Sequence, residues 1–557
     1  YKMMIDIKMK QISSLEKIRS NGDIEKSSDV EKVTLFQGEH YAYQIALTSD
    51  ERYKMKIEIE SSIKECITPY VVEDALMDNP LYAKGMDDDY ITDQKGYMPD
   101  ILIPAESKEN IFYVNGTSSL WLDVNIPKDM QPGVYTITTK FNKLTRKEQM
   151  NMQLSITMQV TVLNREIAHQ KLITTQWLHP DCIASVHNVE IYSEEHWQLI
   201  DKYIEMASDI GMNMMLTPVF SLNLDVGFGI SRPNIQLVDI SLGKEGYKFD
   251  FSKLRRWIAL CKKNNIKYYE ISHLFSQHGL KYSSNVIADM DGEENYIFGW
   301  NTKGDSQRYA EFLKIFIPKL IEVLEEEKIK DVTYFHISDE PQFTDFEQYK
   351  YAHDLIRPLI GDCKILEAIS NYEFYAKGLI DVPAVCEMPL YLKGFLENKT
   401  DNLFIYHSNI CNIKVANRFL SMPLYRDRAL GFIMYKFGVK GFLHWGYNFY
   451  YNFGCEYTVN PYLTTSGDKH YPSGDTFSVY PGKDGPLCSM RAKVFKDALQ
   501  DIQLCQMLED HIGKEEVVKF IEDMAGMEIT FEEYPRNSEF YDSLNLKIKE
   551  TIAEYIK

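Results

Sequence analysis

The sequence predicts a multidomain protein with an N-terminal antiparallel β-sandwich, a (β/α)8 TIM barrel and C-terminal helices. Before residue 166, short alternating apolar runs such as YAYQIALTS (41–49) and GVYTITTKF (133–141) are separated by turn-forming residues. This spacing is typical of antiparallel strands in a sandwich. From about residue 166, strand-like apolar runs alternate with long amphipathic helices, which is the pattern of parallel βα units.

The length of the chain indicates more than one domain. At 557 residues it is too long for one ordinary core. We therefore place the sandwich at residues 1–165, the catalytic barrel at 166–500, and a helical extension packed on the barrel at 501–557.

Eight runs in the second region are candidate barrel strands. Eight is the number that closes a TIM barrel, and helical segments connect the runs. The candidates are KLITTQW (171–177), MNMMLTPV (212–219), YYEISHLF (268–275), DVTYFHIS (331–338), KILEAIS (364–370), AVCEMPL (384–390), NLFIYHS (402–408) and GFLHWGYNF (441–449).

Charge and composition limit the partners. The formal net charge is −20, so nucleic acids and anionic membrane surfaces are poor partners. No apolar run approaches the ~20 residues that a membrane span requires. Aromatic residues make up 13% of the chain, and their flat faces with polar edges suit neutral sugar rings. The expected partner is an oligosaccharide; the oligomeric state stays open.

The cysteines and the N-terminus bear on location. The nine cysteines are scattered and contain no C-x-x-C pair, which argues against a disulfide framework and a thiolate zinc site. A reducing compartment, the cytoplasm of a bacterium, is the first expectation. Secretion is the alternative, because the chain starts at Tyr1 and the start of a signal sequence would lie upstream. Metalloprotease, nucleotide-binding and serine-hydrolase motifs are absent, so we expect no cofactor and no catalytic metal.

The candidate catalytic residues are Asp339 and Glu340, at the end of the fourth candidate strand. Active sites of TIM barrels lie at the carboxyl ends of the strands. Charges directly after a buried strand are costly unless a site uses or pairs them. Other acidic runs, such as Glu194-Glu195 and Glu515-Glu516, are expected on helix faces or ends, where a solvated surface explains them. His336, inside the strand, is interpreted as a buried histidine that orients a carboxylate.

Adjacent carboxylates indicate a particular chemistry. Most retaining glycosidases take two carboxyls from different strands, about 5–5.5 Å apart. Consecutive residues on an extended backbone point apart, so Asp339 and Glu340 are suited to two parts of one sugar. Glu340 is then the general acid/base at the glycosidic oxygen. If the C2 substituent is an acetamido group, its oxygen can attack C1 while Asp339 orients the N–H and stabilises the oxazolinium charge.

Four motifs carry a resemblance to a known family: HISDEP (336–341), QPGVYTI (131–137), HWGYN (444–448) and RAKVFKDALQDIQL (491–504). Together they resemble glycoside hydrolase family 123, the β-N-acetylgalactosaminidases, over essentially the whole chain. The resemblance implies exo-cleavage of terminal β-GalNAc with retention, including from glycosphingolipid-type glycans. It also implies the same roles for Asp339 and Glu340. Family 20 hexosaminidases typically carry His-x-Gly-Gly before their Asp-Glu pair, and His336-Ile-Ser lacks both glycines.

Other residues at predicted strand ends are candidate sugar ligands. Trp445 is expected to stack on the sugar at the mouth of the barrel, and Glu387 interrupts an apolar run where it can bind a pair of hydroxyls. A core position is the alternative for the aromatic residues, and an ion pair with an arginine is the alternative for Glu387. The full set is Trp445, Tyr447, Asn448, Glu387, Trp177, His179, Asn371 and Tyr391.

Two alternative functions stay open. GlcNAc differs from GalNAc only at C4, and the choice between a β-N-acetylgalactosaminidase and a β-N-acetylglucosaminidase rests on the resemblance. The other alternative is a non-catalytic carbohydrate-binding protein that uses the same aromatic mouth without turnover.

Overall fold

A computed structural model describes residues 7–144, 150–222, 224–277 and 279–556. Its packing divides the chain into two compact units. The first contains Tyr1–Lys171, Asn412–Lys436 and Leu487–Lys557, and the second contains Leu172–Cys411 and Phe437–Pro486. The predicted boundaries lay after residues 165 and 500. The limits in the structure differ because the segments Asn412–Lys436 and Leu487–Lys557 belong to the same unit as the N-terminal strands.

The elements are numbered in chain order. The strands are β1 Lys8–Ser13, β2 Lys32–Gln37, β3 His40–Glu60, β4 Ile67–Met77, β5 Gly96–Pro104, β6 Ile111–Asn125, β7 Gly133–Leu144, β8 Met150–Glu166, β9 Ile173–Gln176, β10 Met214–Thr217, β11 Asp239–Gly243, β12 Gly246–Asp250, β13 Tyr268–Ile271, β14 Val286–Met290, β15 Glu293–Phe298, β16 Thr333–Phe335, β17 Lys364–Ala368, β18 Val382–Cys386, β19 Phe404–Tyr406, β20 Gly441–His444, β21 Val479–Pro481 and β22 Pro486–Cys488. The helices are α1 Pro180–His187, α2 Glu194–Asp209, α3 Ser252–Lys263, α4 Gln307–Glu326, α5 Phe346–Ile360, α6 Tyr372–Ala376, α7 Pro389–Glu397, α8 Tyr425–Phe437, α9 Met490–Ile512, α10 Lys514–Ala525 and α11 Ser538–Ile556.

The first unit contains an eight-stranded sheet in the order β2-β8-β7-β3-β6-β4-β5, with β1 paired to β3. The predicted sandwich takes the form of one continuous sheet, because the long strand β3 has different partners along its length. Its first half pairs with β1 and its second half with β7, and its pairing with β6 shifts register between Ser49 and Tyr53. Alternation sets the faces: Ile57 and Ile59 are buried, whereas Glu58 and Glu60 are exposed.

The second unit contains the barrel. Its eight strands pair in parallel in the order β10-β13-β16-β17-β18-β19-β20-β9. The two end strands meet where the Asn213 N–H donates to the Thr174 carbonyl at 3.1 Å and Asn213 Oδ1 accepts from the Thr174 N–H at 2.8 Å. Each predicted run overlaps one barrel strand, so the nearly closed eight-stranded barrel sheet is confirmed.

Local sequence explains where the connecting elements begin. Helix α2 begins after Ser193, whose hydroxyl accepts from the His196 N–H, as is typical of an N-cap. The connections after β10 and β13 also contain a sheet of order β12-β11-β14-β15, which the sequence did not predict. Within the described ranges, no helix combines the length and apolar character that a membrane crossing requires.

Candidate active site

Asp339 and Glu340 follow β16 at the carboxyl edge of the barrel sheet, as predicted. Asp339 is 5% exposed, and Glu340 is half-buried. Glu340 has a φ of 47°, in the left-handed region that residues other than glycine rarely adopt. Such backbone strain persists where the surrounding structure enforces it, often at active sites.

Asp339 is held by a glutamine from the loop after β13. Gln277 Nε2 donates to Asp339 Oδ2 at 2.7 Å. Gln277 Oε1 in turn accepts from the backbone N–H of Asp225 at 2.9 Å, which fixes the orientation of the amide. Burial, and after it the charges of Glu340 and Asp225, raise the pKa of Asp339 well above its usual range.

Glu340 is held by a different residue. The Tyr406 hydroxyl, at the end of β19, donates to Glu340 Oε1 at 2.5 Å. Burial and the Glu340 charge raise the pKa of Tyr406 well above its usual range, so this hydroxyl keeps its proton. The two adjacent carboxyls therefore have separate supports on different elements.

A buried imidazolium lies beneath the pair. His336 Nε2 bonds to Glu270 Oε2 at 2.8 Å, and His336 Nδ1 bonds to Glu367 Oε1 at 3.3 Å. Burial opposes a charge on this ring, but the bonds to both carboxylates outweigh it and raise the pKa of His336 to about 10. The sequence-based interpretation of His336 as a buried carboxylate partner agrees with this geometry.

Glu367 also fixes the backbone that leads to the pair. Its Oε2 accepts from the N–H groups of Ile337 and Ser338, both at 3.0 Å, and from the Tyr349 hydroxyl at 2.9 Å. The peptide before Asp339 is therefore tied to the neighbouring strand β17. This arrangement stiffens the position of Asp339 and Glu340.

A second histidine lies between Asp339 and His336. The His273 ring stacks on His336 with centroids 4.3 Å apart at 21°, and its Nε2 is 4.0 Å from Asp339 Oδ1. Burial and the charge on His336 lower the pKa of His273 well below its usual range, so the ring is neutral. Trp177 packs its edge against His273 at 5.3 Å and donates its indole N–H to Glu270 at 3.3 Å.

Asp225 adds a third carboxyl to the site. It lies in the loop after β10 and is half-buried. Burial, and then the charge of Glu340, raise its pKa to about 6. Three acidic side chains thus interact electrostatically at one end of the barrel.

Three predicted sugar ligands lie together after β9 and β20. His179 Nε2 donates to the Trp445 carbonyl at 3.0 Å, and its Nδ1 accepts from Arg232 at 3.0 Å. The Asn448 side chain bonds to the backbone N–H and carbonyl of His179. The Trp445 ring is half-buried and packs 5.1 Å from Tyr471. Burial and the Arg232 charge lower the pKa of His179 to about 3, so it is neutral.

The other predicted ligands are dispersed. The buried Tyr447 donates its hydroxyl to the Tyr203 carbonyl of α2 at 2.9 Å. Glu387 is buried and bonds to His407 at 3.2 Å. Asn371 caps α6 by accepting from the Glu373 N–H, and Tyr391 is half-buried in α7. Sugar contacts by all eight residues stay predictions; His179, Tyr447 and Asn448 already use polar atoms to hold the protein together.

Several site residues were missed by sequence reasoning. Glu270 and Glu367 had a signal, because each is a charge inside an apolar strand, in YYEISHLF and KILEAIS. No sequence pattern pointed to Tyr406 or Gln277, because a tyrosine or glutamine near a strand end is common. Only the fold brings these two residues to Asp339 and Glu340.

The same cluster contains potential metal ligands. Within the described part of the chain, His273, His336 and Glu367 each place a donor atom within 4.8 Å of the others. His336 and Glu367 already bond to each other through Nδ1 and Oε1. We therefore interpret these two residues as a buried ion pair with His273 stacked on it.

Comparisons with known proteins show the family of the chain. The family model described as "Glycoside hydrolase 123, catalytic domain" matches residues 177–508. The chain is similar to a solved family 123 glycoside hydrolase from Clostridium perfringens, with a TM-score of 0.72 and 15% identity over 99% of this chain and 98% of that one. That structure was reported for "the details of glycolipid glycan hydrolysis".

A more distant similarity is to a Bacteroides ovatus GH5 xyloglucanase, with a TM-score of 0.33 and 8% identity over 87% of this chain and 99% of that one. No curated protein matches the chain. The family match covers more than half of the sequence and includes Asp339 and Glu340. The chain therefore belongs to glycoside hydrolase family 123, and its barrel is a glycosidase domain.

Proposed function

We propose that the protein is a retaining exo-β-N-acetylgalactosaminidase that releases terminal β-GalNAc by substrate-assisted catalysis. The observation that carries the proposal is the separate support of two adjacent carboxyls, Asp339 by Gln277 and Glu340 by Tyr406. A pair held in this way can serve two atoms of one sugar. Glycosphingolipid-type glycans are the proposed substrates, and the similarity to the Clostridium perfringens enzyme supports this choice.

In the first step, Glu340 protonates the glycosidic oxygen as the C1–O bond breaks. The acetamido carbonyl oxygen of the same sugar attacks C1 and forms an oxazolinium ion. Asp339 accepts the acetamido N–H, which orients the nucleophile, and its negative charge stabilises the ion. In the second step, Glu340 removes a proton from water as the water oxygen attacks C1. The C1–O bond of the oxazolinium ring breaks, the acetamido group re-forms, and the product retains the β configuration.

The proposed steps set a requirement on the protonation state of Asp339. The reaction needs Asp339 ionised and Glu340 protonated, whereas burial and neighbouring charges favour a proton on Asp339 in the resting enzyme. A hydrogen bond from the acetamido N–H stabilises the ionised carboxyl. Substrate binding therefore favours the ionised form of Asp339, which stabilisation of the oxazolinium ion requires.

The test uses para-nitrophenyl β-GalNAc and β-GlcNAc, with the α-GalNAc anomer as control. We expect release from β-GalNAc above β-GlcNAc, none from the α-anomer, and inhibition by the galacto-configured thiazoline. The first product seen by NMR should be β-GalNAc. A preference for β-GlcNAc would show that the substrate is GlcNAc and not GalNAc. If neither sugar were released and the thiazoline did not bind, the proposed mechanism would be refuted.

A further inference from the structure

We propose that His273 is a positioning residue for Asp339, donating its Nε2–H to Asp339 Oδ1 whenever that carboxyl is ionised, as it is in the substrate complex. This inference deepens the proposed function and rests on its two-carboxyl mechanism. His273 has no part in proton transfer to the sugar. Its role is to hold the carboxyl that receives the acetamido N–H.

The hydrogen-bonding capacity of the His273 ring is unused among the described residues. The side chain is 2% exposed, and within the described residues neither ring nitrogen has a hydrogen-bond partner. Buried polar atoms without partners are rare and costly in native proteins. His273 Nε2 lies 4.0 Å from Asp339 Oδ1. Catalytic hydrogen bonds are often long in the free enzyme and shorten in the substrate complex.

The neighbouring rings prevent His273 from accepting a proton. His273 stacks on His336, which carries a positive charge between Glu270 and Glu367. A second buried cation at this separation is unfavourable. A neutral imidazole has one N–H, and we assign it to Nε2 because this atom faces the carboxyl. The edge of Trp177 restrains the ring on another side.

The bond would change the charge balance of Asp339. A hydrogen bond donated to a carboxylate favours its ionised form. His273 therefore acts against the burial and like charges that keep a proton on Asp339. The titratable groups that surround Asp339 are Asp225 after β10, Glu270 and His273 on or after β13, His336 and Glu340 around β16, Glu367 on β17 and Tyr406 on β19.

Matched variants separate a donated hydrogen bond from simple packing. His273→Gln keeps an N–H donor at a distance from the backbone similar to that of His Nε2. His273→Met has a side chain about as long as Gln but no donor, and His273→Phe keeps an aromatic ring but no donor. On para-nitrophenyl β-GalNAc we expect kcat to fall roughly 10- to 100-fold in the Met and Phe variants, to stay within about fivefold in Gln, and KM to change little.

A second measurement needs no turnover. Infrared difference spectra between each protein and its Asp339→Asn derivative follow the protonated carboxyl of residue 339. We expect its titration midpoint to rise by about one pH unit in the Met and Phe variants and to stay near wild type in Gln. Either folded donor-free variant is sufficient for the comparison.

The outcomes are distinct. Equal kcat losses in Gln, Met and Phe, or an unchanged midpoint in the donor-free variants, would overturn the role of His273. If the wild-type enzyme released no sugar but the midpoint moved as expected, the proposed function would fail while the positioning of Asp339 by His273 would stand.

Discussion

Tyr406 donates its hydroxyl to Glu340 Oε1 at 2.5 Å, although β19 is three strands away from β16 in the barrel order. The bond is possible because the carboxyl ends of all the strands meet at one mouth. It fixes a carboxyl whose backbone is in the left-handed region. The position of the proposed general acid thus depends on a residue far from it in sequence.

Tyr406→Phe tests that support. Removing the hydroxyl leaves the ring in place and frees Glu340 to adopt other rotamers. We expect kcat to fall about 10- to 100-fold, the loss of one hydrogen bond to a charged group. Steady-state kinetics with a substrate that has a poor leaving group measures this fall in kcat. Tyr351→Phe, on an exposed side chain of α5, is the control; equal effects in both variants would count against a specific role for Tyr406.

Asp339→Asn tests the proposed role in orienting the acetamido group. Asparagine keeps the shape of the side chain but loses the charge that stabilises the oxazolinium ion. We expect kcat/KM on β-GalNAc substrates to fall about 100- to 1,000-fold, as for loss of one electrostatic transition-state contact. Stopped assays measure the rate, with thermal unfolding as the check on folding. Activity within threefold of wild type would contradict the role.

Asp225→Asn tests the third carboxyl. The charge of Asp225 raises the pKa of Asp339. Removing it lowers that pKa, so the pair loses its proton at lower pH and the alkaline limb of the kcat/KM profile moves to lower pH. We expect a shift of about half a unit to one unit. Asparagine also tolerates the φ of 55° at this position.

The control for this shift is Asp291→Asn, which removes an exposed carboxyl from the turn between β14 and β15. Its profile should overlay that of wild type. A shift to higher pH in Asp225→Asn, or equal shifts in both variants, would show that Asp225 does not act on the pair in the way described.

His336 makes stability depend on pH. Its pKa is raised to about 10 in the folded protein, above about 6.5 in an unfolded chain. A raised pKa contributes stability that is complete below the unfolded value and is lost as pH rises through the folded value. The free energy of unfolding should therefore decline from about pH 6.5 to about pH 10.

His336→Gln removes this contribution and leaves Glu270 and Glu367 without their cation. We expect a loss of about 3–5 kcal/mol at pH 7 and a flatter dependence on alkaline pH. Denaturant unfolding at pH 7 and pH 9.5 measures both. His169→Gln, on an exposed side chain, is the control. A pH dependence equal to that of wild type in His336→Gln would show that another group causes it.

Sequence patterns predicted the barrel because its strands are apolar runs at regular intervals. They predicted Asp339 and Glu340 because charges directly after a buried strand are costly. The supporting contacts were not predictable, since Gln277 and Tyr406 reach the pair only through parallel pairing of distant strands. The sheet of β11, β12, β14 and β15 was also missed. Its strands are only five or six residues long, and about half of their residues are exposed.

The acetamido oxygen of the substrate is the proposed nucleophile. A series of para-nitrophenyl β-glycosides with N-acetyl, N-fluoroacetyl, N-difluoroacetyl and N-trifluoroacetyl groups tests this role, because each fluorine weakens the carbonyl oxygen as a nucleophile. We expect kcat/KM to fall with every added fluorine. Constant values of kcat/KM across the series would rule out the acetamido oxygen and would assign the nucleophile to the protein.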